Sequence, residues 1–185
     1  MKKIEEGSIK KRSILGSVMY SYSDYDVLYG FLGYSNLLTL LEFISMIREK
    51  NIYFLGTAGS LNPDMNKPEV LNVKKVYPGS IFKYFTDKKF LNLKNSDIPG
   101  MRNANGISVD LIQREDPLWY EGVKEMDVDV VEMEIFPLCW YMEKEVTAHI
   151  VVSDIVSESG ITSLNRKQIA EESVRGFEYI LESIK

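Results

Sequence analysis

From Leu37 to the carboxyl end, short apolar runs of strand length alternate with segments of helical periodicity, a pattern that few architectures accommodate. Leu37, Leu40, Leu41, Ile44 and Ile47 recur at helical spacing behind Ser35 as a cap, while Leu38, Phe43 and Met46 widen the apolar face. A largely buried helix is expected there. Residues 51–55 then form a short strand that leaves through Gly56-Thr57-Ala58-Gly59-Ser60, read as a Gly-rich turn at the strand's carboxyl end. Residues 70–77 and 106–112 read as further strands, with the Asn-rich interval 92–105, carrying Pro99 and Gly100, as a surface loop between them. A helix over Pro117–Lys124, a strand over 128–131, a helix over 135–143 and a strand over 147–152 follow. Asn165 and Gln168 have capping-box spacing, and Ile169, Ser173, Phe177, Ile180 and Ile184 line one face of a closing helix. Ahead of all this, residues 13–20 and 25–32 suggest a hairpin about the polar turn 21–24, which would open the sheet. The fold class is α/β: a single domain over residues 1–185 with a mixed, mostly parallel twisted sheet and helices on both faces.

Charge and cysteine usage narrow the partners. A formal net charge of −5 repels phosphodiester chains, and no basic stripe interleaved with aromatics offsets it, so nucleic acid is not an expected partner. Lys10, Lys11 and Arg12 read as a solvated stretch. Cys139 is the only cysteine, which excludes an internal disulfide and a cysteine-cluster metal site and suits a reducing compartment. No run approaches the ~20 apolar residues of a membrane span, and the amino end carries lysines and glutamates where a secretory signal needs an apolar run. The expectation is a cytoplasmic protein without cofactor or metal.

Three short constellations follow apolar runs: residues 56–60, Glu132-Met133-Glu134, and Ser153-Asp154. Ends of neighbouring strands can converge on one crevice although they are distant in sequence. Glycines in the first let a backbone approach a ligand, and they equally well serve a purely steric exit from a strand; the Walker and dinucleotide patterns are both absent. Glu134 stands between the run Val130-Val131 and an apolar helix, where its carboxylate needs a partner: ligand hydroxyls supply one, and a helix-start acid favoured by the dipole is the plainer alternative. Asp154 ends a strand, where partial burial favours a shared or donated proton, with a Ser-Asp turn as the alternative. His149 reads as a satisfied strand residue or a surface one, Cys139 as core filling, and Trp119, Tyr120 and Trp140 as pocket walls or subunit contacts.

Taken together, in this order and spacing, these constellations resemble the nucleoside phosphorylase and nucleosidase superfamily, which includes purine nucleoside phosphorylases, uridine phosphorylases and methylthioadenosine nucleosidases. The likeness runs from about Gly33 to the carboxyl end: Gly33-Tyr34-Ser35-Asn36 is similar to the family's glycine turn, residues 52–60 to its strand and Gly-Thr-Ala-Gly loop, and residues 106–110 to its base-pocket strand. The resemblance implies that Met133 packs on the sugar, Glu134 hydrogen-bonds ribose hydroxyls and stabilises an oxocarbenium-like transition state, and Asp154 contacts the purine and assists departure of the base. It also puts Ser153, Gly59, Thr57, Ala58, Ile107 and Glu132 at the substrate, and implies a homodimer or higher homo-oligomer whose pocket is completed across a subunit contact.

The departures from the family's pattern are specific. Phe54 stands where phosphorylases carry an arginine, no Gly-Asp-Pro-x-Arg segment precedes the glycine turn, and Ile150 stands where nucleosidases carry an arginine. Many members stack an aromatic on the base near the position of Ile107. The family's first strand, which bears an acid in nucleosidases, is read as deleted or rebuilt, with Glu5 or Glu6 as weak substitutes. The expected activity is hydrolysis of the N-glycosidic bond of a purine nucleoside or its 5'-thio derivative. An inactive nucleoside-binding or scaffold protein comes second and phosphate-dependent phosphorolysis third.

Overall fold

The computed structural model describes residues 8–14, 17–30, 37, 51–79, 81–95, 97–110, 117–142 and 145–184. The chain divides into two compact units, Met1–Ile47 and Arg48–Lys185. In the first, β1 (Lys10–Ile14), β2 (Ser17–Ser21) and β3 (Asp26–Tyr29) form an antiparallel sheet of their own, so the hairpin expected from sequence does not open the main sheet. The turn closes through the Tyr22 N–H to the Tyr25 carbonyl at 2.9 Å. Lys10 to Arg12 lie in β1, where Lys10 and Lys11 are exposed, as expected of a solvated stretch; Lys11 pairs with Tyr20 and lays its ammonium 5.2 Å from the centre of that ring. Leu37 is helical and buried; the rest of the expected helix, the glycine turn at 33–36, and Glu5 and Glu6 lie outside the described residues.

The second unit holds a seven-stranded sheet of β4 (Ile52–Ser60), β5 (Val70–Pro78), β6 (Leu91–Asn92), β7 (Arg102–Ser108), β8 (Val130–Glu132), β9 (Val146–Ser157) and β10 (Gly160–Ser163), in the order β10-β9-β4-β8-β7-β5-β6. A further pairing of β9 with β5 curls it into a partly closed barrel. The sheet is mixed, and the expectation of a mostly parallel one is corrected. Strands β4 and β9 run together, β5, β7 and β8 run together, and the two groups meet antiparallel at β4/β8 and β5/β9. Within β9, residues 148 to 152 are buried throughout, the mark of a strand segment covered on both faces. Helices α1 (Pro117–Lys124), α2 (Ile135–Met142) and α3 (Arg166–Ile184) complete the unit, α2 packing on β5, β6 and β7 and α3 on β9, β4 and β5. Asn165 caps α3, its side-chain oxygen accepting from the N–H groups of Lys167 and Gln168 at 3.0 and 3.2 Å. No helix among the described residues is long and apolar enough to cross a membrane.

Two polar residues of the sheet depart from the sequence reading. Asn95, in what reads as a surface loop, is buried. Its amide nitrogen lies 2.8 Å from each of three acceptors, the Asn72 side-chain oxygen and the carbonyls of Val73 and Ala148, among which its two hydrogens are shared, and its oxygen accepts from the Ala148 N–H, so a side chain repairs backbone pairing between β5 and β9. His149 is not a satisfied or surface residue. It is 1% exposed, and neither ring nitrogen has a hydrogen-bond partner among the described residues.

Close approach, not turn geometry, fixes Gly79 just beyond β5: a Cβ there would stand 2.1 Å from the Ser108 carbonyl oxygen at the end of β7. Gly79→Ala is expected to lower stability by about 3 kcal/mol, because a backbone atom and not a flexible side chain must move. Urea unfolding checks this, and a loss below the error of the measurement would show that the β5 and β7 ends can part freely.

Candidate functional site

The three constellations singled out in the sequence meet through strand register. Residues 56–60 are not a turn but the second half of β4, their backbone groups engaged in the ladder. Glycine is used at 59 for space: a Cβ would fall 2.6 Å from a Val156 methyl, where the pairing with β9 slips by one residue between Ala58 and Gly59. Gly59 therefore lies between Val131 of β8 on one side and Asp154 of β9 on the other. Thr57, on the neighbouring ladder position, is exposed, and Ala58 is buried.

On the β9 side, the slip leaves Ser153 as the extra residue. Its hydroxyl lies 2.5 Å from the Asp154 carboxylate, to which it donates, and 3.4 Å from the Ala58 carbonyl oxygen. Asp154 is half-buried and pairs across the β9–β10 ladder with Ser163, whose hydroxyl donates to the other carboxylate oxygen at 2.6 Å. Two hydroxyls thus fix both oxygens of Asp154.

On the β8 side, Glu132 ends the strand opposite Ser108. Its carboxylate turns inward. One oxygen accepts the Ser108 hydroxyl, and the other accepts the N–H groups of Glu134 at 2.6 Å and Ile135 at 2.7 Å, which begin α2. Burial pushes its pKa up to about 7 against the pull of the Ser108 hydrogen bond; the neighbouring Glu134 charge raises it further, and the backbone N–H bonds oppose. Glu134 is 7% exposed, and its own carboxylate accepts from the Met133 N–H at 3.3 Å. Met133 packs, partly buried, on a cluster of Ile107, Val109, Val123 and Val131 that Tyr77 and Trp119 extend. The Ile107 and Met133 of the sequence reading therefore share one apolar wall.

Cys139, one helical turn into α2 and read from sequence as core filling, is partly buried, with its thiol pushed up to about 12 by burial and by the Glu132 charge, which makes it a poor nucleophile. It lines, with Trp140, Leu93 and Val146, a cavity of about 550 Å3 that contains none of the constellation residues. Phe54 and Ile150, at the positions where the family carries arginines, are buried apolar residues. Among the described residues no group of three or more His, Cys, Asp or Glu side chains could hold a metal ion.

Sequence reasoning missed Ser108 and Ser163. Ser163 carried a signal, since Ser159-Gly160 is a turn pair ahead of a β-branched stretch, and Gly160 does adopt a φ of 113° in the β9–β10 turn. Nothing local marks Ser108, whose role exists only once β7 lies beside β8.

No protein-family model matches the sequence, and no curated protein matches it either. The fold, by contrast, is that of the nucleoside phosphorylase and nucleosidase superfamily. A mutant 5'-methylthioadenosine nucleosidase of Helicobacter pylori, solved with 5'-methylthioadenosine in its active site, superposes with a TM-score of 0.69 at 16% identity, covering 98% of this chain and 90% of that one. A futalosine hydrolase mutant from the same organism gives the same values. Purine nucleoside phosphorylase of Toxoplasma gondii, in complex with immucillin-H, gives a TM-score of 0.70 at 15% identity, covering 95% of this chain and 83% of that one.

Proposed function

We propose that this protein binds a purine nucleoside or its 5'-thio derivative and hydrolyses the N-glycosidic bond, with Glu134 and Asp154 as the catalytic pair. The observation that carries the reading is the register at Gly59, flanked by Val131, one residue before the Glu132–Glu134 segment, and by Asp154. In the reaction the bond from the anomeric carbon to the base nitrogen breaks with its electron pair leaving on the base. Asp154, oriented by Ser153 and Ser163, is the group that directs a proton to that base. Glu134 stabilises the positive charge that develops on the sugar, and Met133 packs on its apolar face. Water adds to the anomeric carbon and releases the proton that balances the step. Ile107 belongs to the base pocket in this reading, and Ser153, Thr57, Ala58 and Gly59 line its floor, with Glu132 behind.

Phosphorolysis ranks last because Phe54 is 5% exposed and apolar, leaving no cation at that position for phosphate. A nucleoside-binding protein without turnover is the second reading, favoured by Ile150, fully buried where nucleosidases carry an arginine. Incubation with adenosine, inosine and methylthioadenosine, with and without phosphate, followed by chromatography of the free base, separates the three. Release at a rate independent of phosphate is expected. Release only with phosphate would overturn hydrolysis, and no release alongside ligand-induced thermal stabilisation would favour the binder. The reading includes a homo-oligomer, which sedimentation velocity checks by mass.

A further inference from the structure

We propose that Glu132 is the positioning residue of this site: by gripping Ser108 on β7 and the first backbone N–H groups of α2 at once, it sets the direction in which the Met133–Glu134 segment presents Glu134 to the sugar. The inference rests on the nucleosidase reading and deepens it.

Glu132 is 3% exposed, and both of its carboxylate oxygens are taken by donors of the protein. What it reaches is the start of α2. Its carboxylate takes the N–H groups of Glu134 and Ile135, and the Ser108 hydroxyl that it orders accepts the next one, from Phe136, at 2.8 Å. Three successive donors at the helix start, which ordinarily need a local cap, are met by a pair of side chains at the ends of two neighbouring strands. The backbone of that pair is itself locked, since Ser108 and Glu132 are register partners and the Val109 N–H donates to the Glu132 carbonyl at 2.7 Å. Glu134 lies between these anchors, its own N–H held by Glu132 and its carboxylate accepting from the Met133 N–H.

A helix cap alone would not require a buried carboxylate, because a serine or aspartate at the helix boundary does that work at lower desolvation cost. A carboxylate in this place makes the segment's geometry depend on protonation. The titratable groups facing Glu132 are Glu134, whose charge raises its pKa, and the Cys139 thiol on α2, held at about 12 and neutral; the Ser108 hydroxyl faces it from β7. Charged Glu132 accepts all three donors, whereas protonation weakens its hold on them. With Glu132 held at about 7, base release should rise with pH across neutrality.

The test compares Glu132→Gln with wild type. The amide keeps the size and an oxygen for the backbone donors, so the variant folds, and its NH2 can donate to Ser108. We expect kcat for base release from adenosine, inosine and methylthioadenosine to fall roughly 10- to 100-fold, KM to change little, and the rising limb near pH 7 to vanish. Glu134→Gln should keep such a limb but shift it to lower pH, since the neighbouring charge is gone. An unaltered kcat with the limb intact, or a rise in KM alone, overturns the proposal. In 15N-labelled protein, the amides of Glu134, Ile135 and Phe136 should titrate together near pH 7 in wild type and not in Glu132→Gln; flat amides in wild type likewise overturn it. Wild-type protein that releases no base sinks the nucleosidase reading, and the amides tell that failure apart, because their titration depends only on Glu132 holding the segment.

Discussion

Glu134→Gln is expected to slow base release about 1000-fold while leaving the fold intact and nucleoside affinity within an order of magnitude. The asymmetry follows from where charge appears. A bound nucleoside is neutral at the sugar, and an amide satisfies ribose hydroxyls nearly as well as a carboxylate does. The departing base leaves positive charge on the sugar, and only the carboxylate attracts it, in surroundings of low polarity where Glu134 is 7% exposed. The glutamine oxygen can still accept from the Met133 N–H, so the start of α2 has no reason to rearrange. Single-turnover release measures the first effect and calorimetric titration the second. A variant that loses kcat/KM only in proportion to its loss of affinity would mean that Glu134 contributes uniform binding and does not stabilise the transition state.

The sequence made the regular elements legible wherever local chemistry decides them. The helix over Pro117–Lys124 has the bounds read from its periodicity, α2 begins at Ile135 as read, and Asn165 caps α3. Within α3 a residue that periodicity passes over packs tightly on the sheet: a Cβ on Gly176 would meet a Leu55 methyl at 2.8 Å. Errors arose where a tertiary partner overrides composition. Small residues over 56–60 read as a turn, yet they are strand because Val156 of β9 packs directly over Gly59. The sheet's mixed sense was hidden for a related reason, since the alternation of strands and helices does not reveal that β8 runs antiparallel to β4. For the site, the constellations were visible as words in the chain, but their shared location comes from the pairing of β4 with β9 and β8, and the serines that orient the carboxylates come from strands that only the fold brings alongside. Glu132 shows the limit most clearly: as a member of a triplet it reads like its neighbours, and only the fold turns it away from them.

His149 and Glu132 should impose opposite pH dependences on stability, and the second large effect follows from removing one of them. Burial lowers the imidazole pKa to about 4 from the usual 6.5, and raises the Glu132 carboxyl to about 7 from the usual 4.5. Between pH 4 and 6.5 the unfolded chain binds a proton at His149 that the native state does not, so this group's contribution is fully present above 6.5 and is lost as pH falls to 4. Between pH 4.5 and 7 the native state binds a proton at Glu132 that the unfolded chain does not, so that contribution is fully present below 4.5 and is lost as pH rises to 7. The two slopes cancel over the shared window. Each group spans about 2.5 pH units, or about 3 kcal/mol.

His149→Leu leaves Glu132 unopposed. Its stability relative to wild type should therefore be about 3 kcal/mol greater at pH 4 than at pH 7, a difference from which every other titrating group drops out. Among the described residues the imidazole has no partner to lose: Asn72, opposite it on β5, already accepts from Asn95 and donates to Asn103, which leaves a leucine of similar volume free of the desolvation cost. Urea unfolding of both proteins at the two pH values measures the effect. If the stability difference between His149→Leu and wild type is the same at pH 4 as at pH 7, the imidazole must be protonated equally in the folded and unfolded chains. That requires water or a polar partner at its ring nitrogens, and β9 would then not be sealed between β4, β5 and α3.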